Sequence, residues 1–102
     1  MKNILFSWTK GGVTRLNILR KIYEYNQKQE PIYTLKIASE HGKSGVAVKK
    51  HLKILIENNL IKVMNPNGKP KFLEITNAGR IFAEDEILFD EICGKKRLAM
   101  SS

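Results

Sequence analysis

The sequence predicts a mainly α domain with one small β-hairpin, and three observations carry that expectation. Two short helical patterns stand either side of Gly42 and Lys43, the second opening on Ser44, which is the spacing of a helix-turn-helix. Two apolar stretches that alternate as strands do flank Asn65-Pro66-Asn67-Gly68-Lys69-Pro70, a sequence built for a reversal of the chain. A further amphipathic stretch follows the second strand. At 102 residues, with 42% hydrophobic and 27% charged side chains, the chain is sized for one domain with a modest core.

The elements follow in order. Residues 1–13 form an N-terminal arm. Leu16, Leu19, Ile22 and Tyr23 recur at helical spacing behind Thr14, a residue suited to capping, so a first helix is expected over 14–27. After Pro31, the apolar pair Ile32 and Tyr33 predicts a very short strand. Thr34 is placed to cap a second helix over 35–41, burying Leu35 and Ile37 or Ala38 and ending at Gly42, a residue free to adopt the left-handed conformation. Ser44 caps the third helix, over 44–58, and Asn59 closes it. At about 100° per residue, Val48, Leu52, Leu55 and Ile56 fall on one stripe of that helix, and Lys49, Lys50 and Lys53 on the opposite flank. One side is built for a core, the other for a partner.

Strands are expected over 60–64 and 71–75, joined by a tight turn in which Asn67-Gly68 supplies positive φ. Pro66 and Pro70 cannot donate to a ladder and belong at the loop or an edge. Thr76 caps a last helix running to Ile92, whose apolar residues Ile81, Phe82, Ile87, Leu88, Phe89 and Ile92 spread round more of its circumference than one contact needs. That breadth predicts two neighbours, the domain itself and a second copy of the chain. The division expected is therefore an arm at 1–13, a principal unit at 14–76, a dimerisation helix at 77–93 and a mobile tail at 94–102.

The charge is uneven. The chain carries 18 Lys and Arg against 10 Asp and Glu, for a net +8. Eight lysines between Lys36 and Lys71 face only Glu40 and Glu57, while acids prevail from Glu84 onward. A basic segment of this kind meets nucleic acid or another anionic surface, or is simply a solvated lysine-rich face. No apolar run approaches the roughly 20 residues of a spanning helix, and the N-terminus has no secretory pattern, so a cytoplasmic protein without a membrane partner is expected. The single cysteine, Cys93, cannot form an internal disulfide.

The order helix, short strand, helix, helix, hairpin, helix resembles the winged helix-turn-helix fold. Particular residues narrow the resemblance to MarR-like and ArsR-like transcriptional regulators. Ser44, Val48, His51-Leu52, Leu55 and Leu60-Ile61 are similar to the recognition-helix signature of those families. Thr76, Gly79 and Arg80 match the Leu-Thr-x-x-Gly motif that closes the wing, with Ile75 in the leucine position. Asn59 stands where those families carry glycine, and Lys49 where they often carry an uncharged polar residue. The resemblance covers about residues 14 to 83 and is nearest to small archaeal regulators that are little more than one winged helix.

The resemblance implies a sequence-specific partner of double-stranded DNA, acting as a homodimer. In that reading Ser44, Gly45, Val46 and Ala47 lie nearest the base edges, Lys49, Lys50 and Lys53 reach phosphates or guanine acceptors, and Asn67, Lys69 and Lys71 follow the backbone or the minor groove. The helix N-terminus beside Lys36 offers a further phosphate site. Val46 has a second reading as a core residue, and His51 reads as a packed or hydrogen-bonded histidine before a pH sensor. Phe6 and Trp8 are expected against the partner chain or the last helix, and Cys93 as inert or bridging two copies. The rival reading is a winged-helix module for protein assembly or RNA binding.

Enzyme chemistry finds no support in the chain. His41, His51 and the distant Cys93 make no metal set, Gly11-Gly12 is an isolated pair with no strand before it, and no cofactor is implied. The acids Glu84, Asp85, Glu86, Asp90 and Glu91 read as the solvated face of the last helix, repelling an anionic partner from that side. A pocket for a small-molecule effector is not disclosed by the sequence.

Overall fold

A computed structural model describes the backbone of residues 10–93 and the side chains of residues 11–91. The expectations for Phe6, Trp8, the tail, and the side chains of Ile92 and Cys93 lie outside the described residues. The elements are α1 (Lys10–Gln27), α2 (Thr34–His41), α3 (Gly45–Glu57), β1 (Ile61–Val63), β2 (Leu73–Ile75), α4 (Asn77–Ala83) and α5 (Glu86–Cys93). This is the mainly helical architecture with a two-stranded antiparallel hairpin that the sequence predicts.

Helix α1 is the axis of the molecule. Leu16, Ile18, Leu19 and Ile22 are all fully buried, and the helix touches β2, α3, α4 and α5. Each such side chain taken from water contributes roughly 1.5–3 kcal/mol, which exceeds any local propensity term in this chain. Packing also resets the start of the helix. It begins at Lys10, ahead of the expected cap at Thr14, and Gly12 is buried within its first turns.

The helix-turn-helix forms from α2 and α3. Helix α2 includes Thr34 rather than being capped by it; the N-cap is Tyr33, in extended conformation and with no side-chain bond. Ile37 and Ala38 are buried, but Leu35 is 69% exposed, contrary to expectation. Leu35 precedes Ile37 by two residues, about 200° of helical rotation, so a stripe centred on Ile37 and Ala38 turns it outward. Gly42 takes the left-handed conformation (φ 64°), its N–H and that of Lys43 closing on carbonyls of the last turn. Ser44 then caps α3, its Oγ accepting from Ala47 N at 3.1 Å. Val48, Leu52 and Leu55 face the core; Ile56, expected on the same stripe, lies past its edge and is exposed. Asn59, at φ 62°, and the Leu60 N–H, bonded to Leu55 O at 2.9 Å, end the helix.

No strand forms at Ile32 and Tyr33. The outer edge of β2 is satisfied differently: Leu73 N donates to Ile32 O (3.0 Å), Ile75 N donates to Asn26 Oδ1 (2.7 Å), and Asn26 Nδ2 donates to Leu73 O (3.3 Å). One carbonyl and one side-chain amide on α1 do the work of a third strand. The inner edge pairs Ile61 with Ile75, Lys62 with Glu74 and Val63 with Leu73. Bonds from Met64 N to Phe72 O and from Thr76 N to Leu60 O carry the pairing beyond the short strands.

The wing is not the tight Asn-Gly turn expected. Among the described residues only Gln29, Gly42 and Asn59 have positive φ. Residues between the strands instead form a wider loop, with a cis Lys69–Pro70 peptide, gathered round Asn65. Asn65 Oδ1 accepts from Phe72 N (2.7 Å), its Nδ2 donates to Pro70 O (3.1 Å), and its carbonyl accepts from Gly68 N (2.8 Å). Gly68 is needed for room, since a Cβ there would fall 2.1 Å from Asn65 Nδ2.

Thr76 and Gly79 explain the motif after the wing. Thr76 Oγ1 accepts from Gly79 N (3.0 Å), capping α4, and donates to Asn59 O (2.7 Å), tying the end of α3 to the start of α4. A Cβ on Gly79 would stand 2.1 Å from the Leu60 carbonyl oxygen, so only glycine lets the two segments meet. The single last helix expected to Ile92 is two. Asp85 breaks it: α4 ends at Ala83 with Glu84 as its C-cap, and Asp85 Oδ1 accepts from Leu88 N (3.0 Å) to restart the chain as α5.

Candidate nucleic-acid interface

The outward flank of α3 is exposed along its basic length. Lys49, Lys50 and Lys53 are exposed, and none makes an ion pair among the described residues. Lysine side chains are costly to order, and no ion pair among the described residues holds these three. Val46 is 68% exposed, which corrects the reading of it as core. Gly45 and Ala47 are half-buried, and Ser44 is exposed, its oxygen accepting the cap bond while its O–H stays available to donate. On the wing, Asn67, Lys69 and Lys71 are exposed, whereas Lys62 pairs with Glu74 across the hairpin at 3.5 Å.

Lys36 behaves differently from the other lysines. It is half-buried, with its Nζ 5.1 Å from the centre of the Tyr25 ring. Glu40, next to it on α2, accepts a hydrogen bond from the Tyr25 hydroxyl and pairs with Lys21 at 3.3 Å. The Tyr25 bond, with the nearby lysines, holds the Glu40 carboxyl below its usual range; the same bond pushes the Tyr25 hydroxyl up to about 12. Lys36 thus sits in a local α1–α2 network, while Lys49, Lys50 and Lys53 stay unengaged.

Two side chains escaped the sequence reading. Leu35, assigned to the core, lies beside the start of α3: a Cβ on Gly45 would be 3.5 Å from Leu35 Cδ2. Thr34, Leu35, Gly45, Val46 and Lys49 line one open depression of about 400 Å³. Lys43, in the turn itself, is the second; it is exposed and unpaired among the described residues. Its position between two helix ends was the available signal.

The histidines are packed. His41 Nε2 and His51 Nδ1 are buried without a hydrogen-bond partner among the described residues. Burial depresses both from the usual histidine value; Arg15 and Lys43 add to the effect at His51, and Lys21 and Lys43 at His41, where Glu40 opposes it. Among the described residues no group of His, Cys, Asp and Glu is arranged to hold a metal. No described helix is long and apolar enough to cross a membrane.

The acids after Ala83 are less idle than a solvated face. Glu84 accepts from the Tyr23 hydroxyl at 2.6 Å and pairs with Arg80 at 3.2 Å, while Arg20 reaches Ala83 O (3.0 Å) and Glu86 (3.4 Å). The Arg20 guanidinium also stacks 4.1 Å above the Phe89 ring. Leu88 and Phe89 therefore pack on the domain, and of the apolar residues expected at a second copy, Ile81 (70%) and Ile87 (74%) are the ones left exposed.

No family model and no curated protein matches the chain. Solved structures do. MarR of Staphylococcus aureus, in complex with salicylate and kanamycin, is 27% identical with a TM-score of 0.56, over 85% of this chain and 53% of that one. ZitR of Lactococcus lactis in complex with DNA is 23% identical with a TM-score of 0.63, over 88% of this chain and 61% of that one. Without DNA, ZitR aligns to 98% of this chain and 66% of its own at 22% identity and the same TM-score. The chain thus spans between about half and two thirds of the length of these proteins. They are transcription regulators rather than enzymes, and the fold they share with this chain is the winged helix-turn-helix.

Proposed function

From the winged helix-turn-helix fold shared with MarR and ZitR, we propose that this protein is a transcriptional regulator that binds double-stranded DNA by sequence. The observation that carries the reading is the exposed flank of α3, where Lys49, Lys50 and Lys53 stand behind a capped helix N-terminus with no ion pair among the described residues. A helix about 10–12 Å across enters the major groove of B-DNA, and its first turns meet the base edges. Ser44, Gly45, Val46 and Ala47 occupy those turns. The three lysines reach the flanking phosphates or guanine acceptors, and Asn67, Lys69 and Lys71 on the wing lie along the backbone or in the adjoining minor groove.

The protein acts as a homodimer in this reading. Ile81 and Ile87, both exposed, supply the contact between copies together with Phe6, Trp8 and Ile92, while Leu88 and Phe89, expected there from the sequence, are engaged on the domain itself. Two copies of α3 then meet successive major grooves about 34 Å apart. The setting is the cytoplasm, where the chain meets DNA. The protein-assembly reading is less favoured because it leaves the exposed lysines of α3 and the wing without a task, and the RNA reading because the deep, narrow major groove of A-form RNA does not admit a helix such as α3.

Selection of bound duplexes from a random pool tests the proposal. The expected winner contains two inverted half-sites about one helical turn apart. Failure to enrich any duplex contradicts the proposal, and enrichment of a single half-site contradicts the dimer.

A further inference from the structure

We propose that Leu35 of α2 and Val46 of α3 form a composite apolar contact that reads thymine 5-methyl groups in the major groove. The inference rests on the DNA-binding reading above and names what that site distinguishes. Two large apolar side chains, 69% and 68% exposed, lie on different helices yet line the same depression, with Thr34, Gly45 and Lys49. The core does not claim either of them. Ile37 and Ala38 on α2, and Val48, Leu52 and Leu55 on α3, are the residues buried inside.

Gly45 lies between the pair. It occupies the first position of α3, where a Cβ would stand in ordinary contact with Leu35 Cδ2 at 3.5 Å, so Leu35 lies against the start of α3, in the depression that Val46 also lines. The surroundings settle the occupant. Lys49 lines the depression, Lys50 and Lys53 follow on the same helix, and α3 carries no acid before Glu57. An apolar surface with one lysine at its edge and two more further along the same helix, none of them in an ion pair among the described residues, fits a ligand that is itself apolar at one point and anionic around it. A thymine methyl standing in the major groove between two phosphate backbones has that chemistry, and the methyl is what distinguishes a T·A pair there by apolar contact. A protein partner binding through the same two residues would have to be acidic, and it would be insensitive to a methyl group on a nucleic acid.

The test uses the full chain and a duplex enriched from the random pool, remade with deoxyuridine in place of thymidine at one position at a time. Base pairing is unchanged and only the methyl is lost. At one or more positions in each half-site the parent should bind roughly three- to fivefold more weakly, the effect of one buried methyl group. Leu35→Ala and Val46→Ala should each bind the thymidine duplex more weakly and lose the distinction at those same positions. Because both residues are exposed, thermal unfolding should match the parent in each variant. Binding by the parent that is indifferent to deoxyuridine everywhere overturns the inference while leaving DNA recognition intact, as does an equal methyl preference in parent and variants. Absence of binding to any duplex overturns both.

Discussion

The junction between hairpin and α4 and the outer flank of α3 are built on opposite principles. At the junction polar groups pair within the chain: Asn26 and the Ile32 carbonyl satisfy the outer edge of β2, and Thr76 links Asn59 to Gly79. Backbone meets backbone so closely at Gly79 that no side chain fits. On the α3 flank the lysines make no ion pair among the described residues, and Val46, with Leu35 of α2 beside it, stays exposed. An unmade hydrogen bond in a buried region costs more than a made one contributes, so a fold completes its interior first. What it leaves incomplete on a rigid, capped helix is surface held in position for something outside.

That contrast can be broken at the junction with the largest effects. Gly79→Ala drives a Cβ into the Leu60 carbonyl, which is backbone and cannot step aside; a loss of about 3 kcal/mol or more is expected in denaturant unfolding. Unfolding like the parent's would show that the contact is loose. Asn26→Ala removes two of the three bonds on the outer edge of β2, leaving the Ile75 N–H and Leu73 carbonyl unmet at a cost of about 2–3 kcal/mol, while the Leu73 N–H keeps Ile32 O. The same substitution should speed amide exchange at Ile75 more than at Leu52.

Acidity probes the packed histidines of α2 and α3. His41 and His51 have folded values below their unfolded ones, so the unfolded chain binds protons first as pH falls. Melting temperature should hold above the ordinary histidine range and decline as pH drops below about 6.5. A further decline below about 4.5 follows from Glu40 and Glu84, whose depressed values make their contribution one that is present above the carboxylate range and lost beneath it. His51→Gln should flatten the first decline. A profile flat from pH 7 to 5 would mean that the rings are not held neutral by burial.

The smallest effect belongs to the wing. Lys69→Ala with Lys71→Ala should leave stability within about 0.5 kcal/mol of the parent, as exposed substitutions do. Duplex binding should weaken for all sequences, with the salt slope reduced by about one to two units. An unaltered slope would take the wing out of the interface.

Much of this contrast was legible in the sequence, because its signals are local. Ser44, Gly42, Asn59 and Thr76 announce helix ends through their own side chains or freedom of φ, and the structure uses each at that task. The misreadings at Asn26 and Leu35 are tertiary, while those at Asn65 and Asp85 are local side-chain bonds whose residue types have other uses. Asn26 replaced a strand by reaching across from another helix, Asn65 reshaped the wing by bonding to Phe72 and Pro70, and Asp85 divided the last helix while carrying the signature of a surface acid. Leu35 was assigned to the core because leucine usually is, and only the position of Ile37 and Ala38 shows that it faces out. The lysines of α3 were legible as a flank by periodicity, but their freedom from ion pairs required the fold.

Fluorescence anisotropy of a labelled selected duplex, titrated with the parent and with the triple variant Lys49→Ala, Lys50→Ala, Lys53→Ala, tests that flank most directly. The account predicts that the variant melts as the parent does yet shows no binding at concentrations that saturate the parent. Equal binding by both proteins would contradict it.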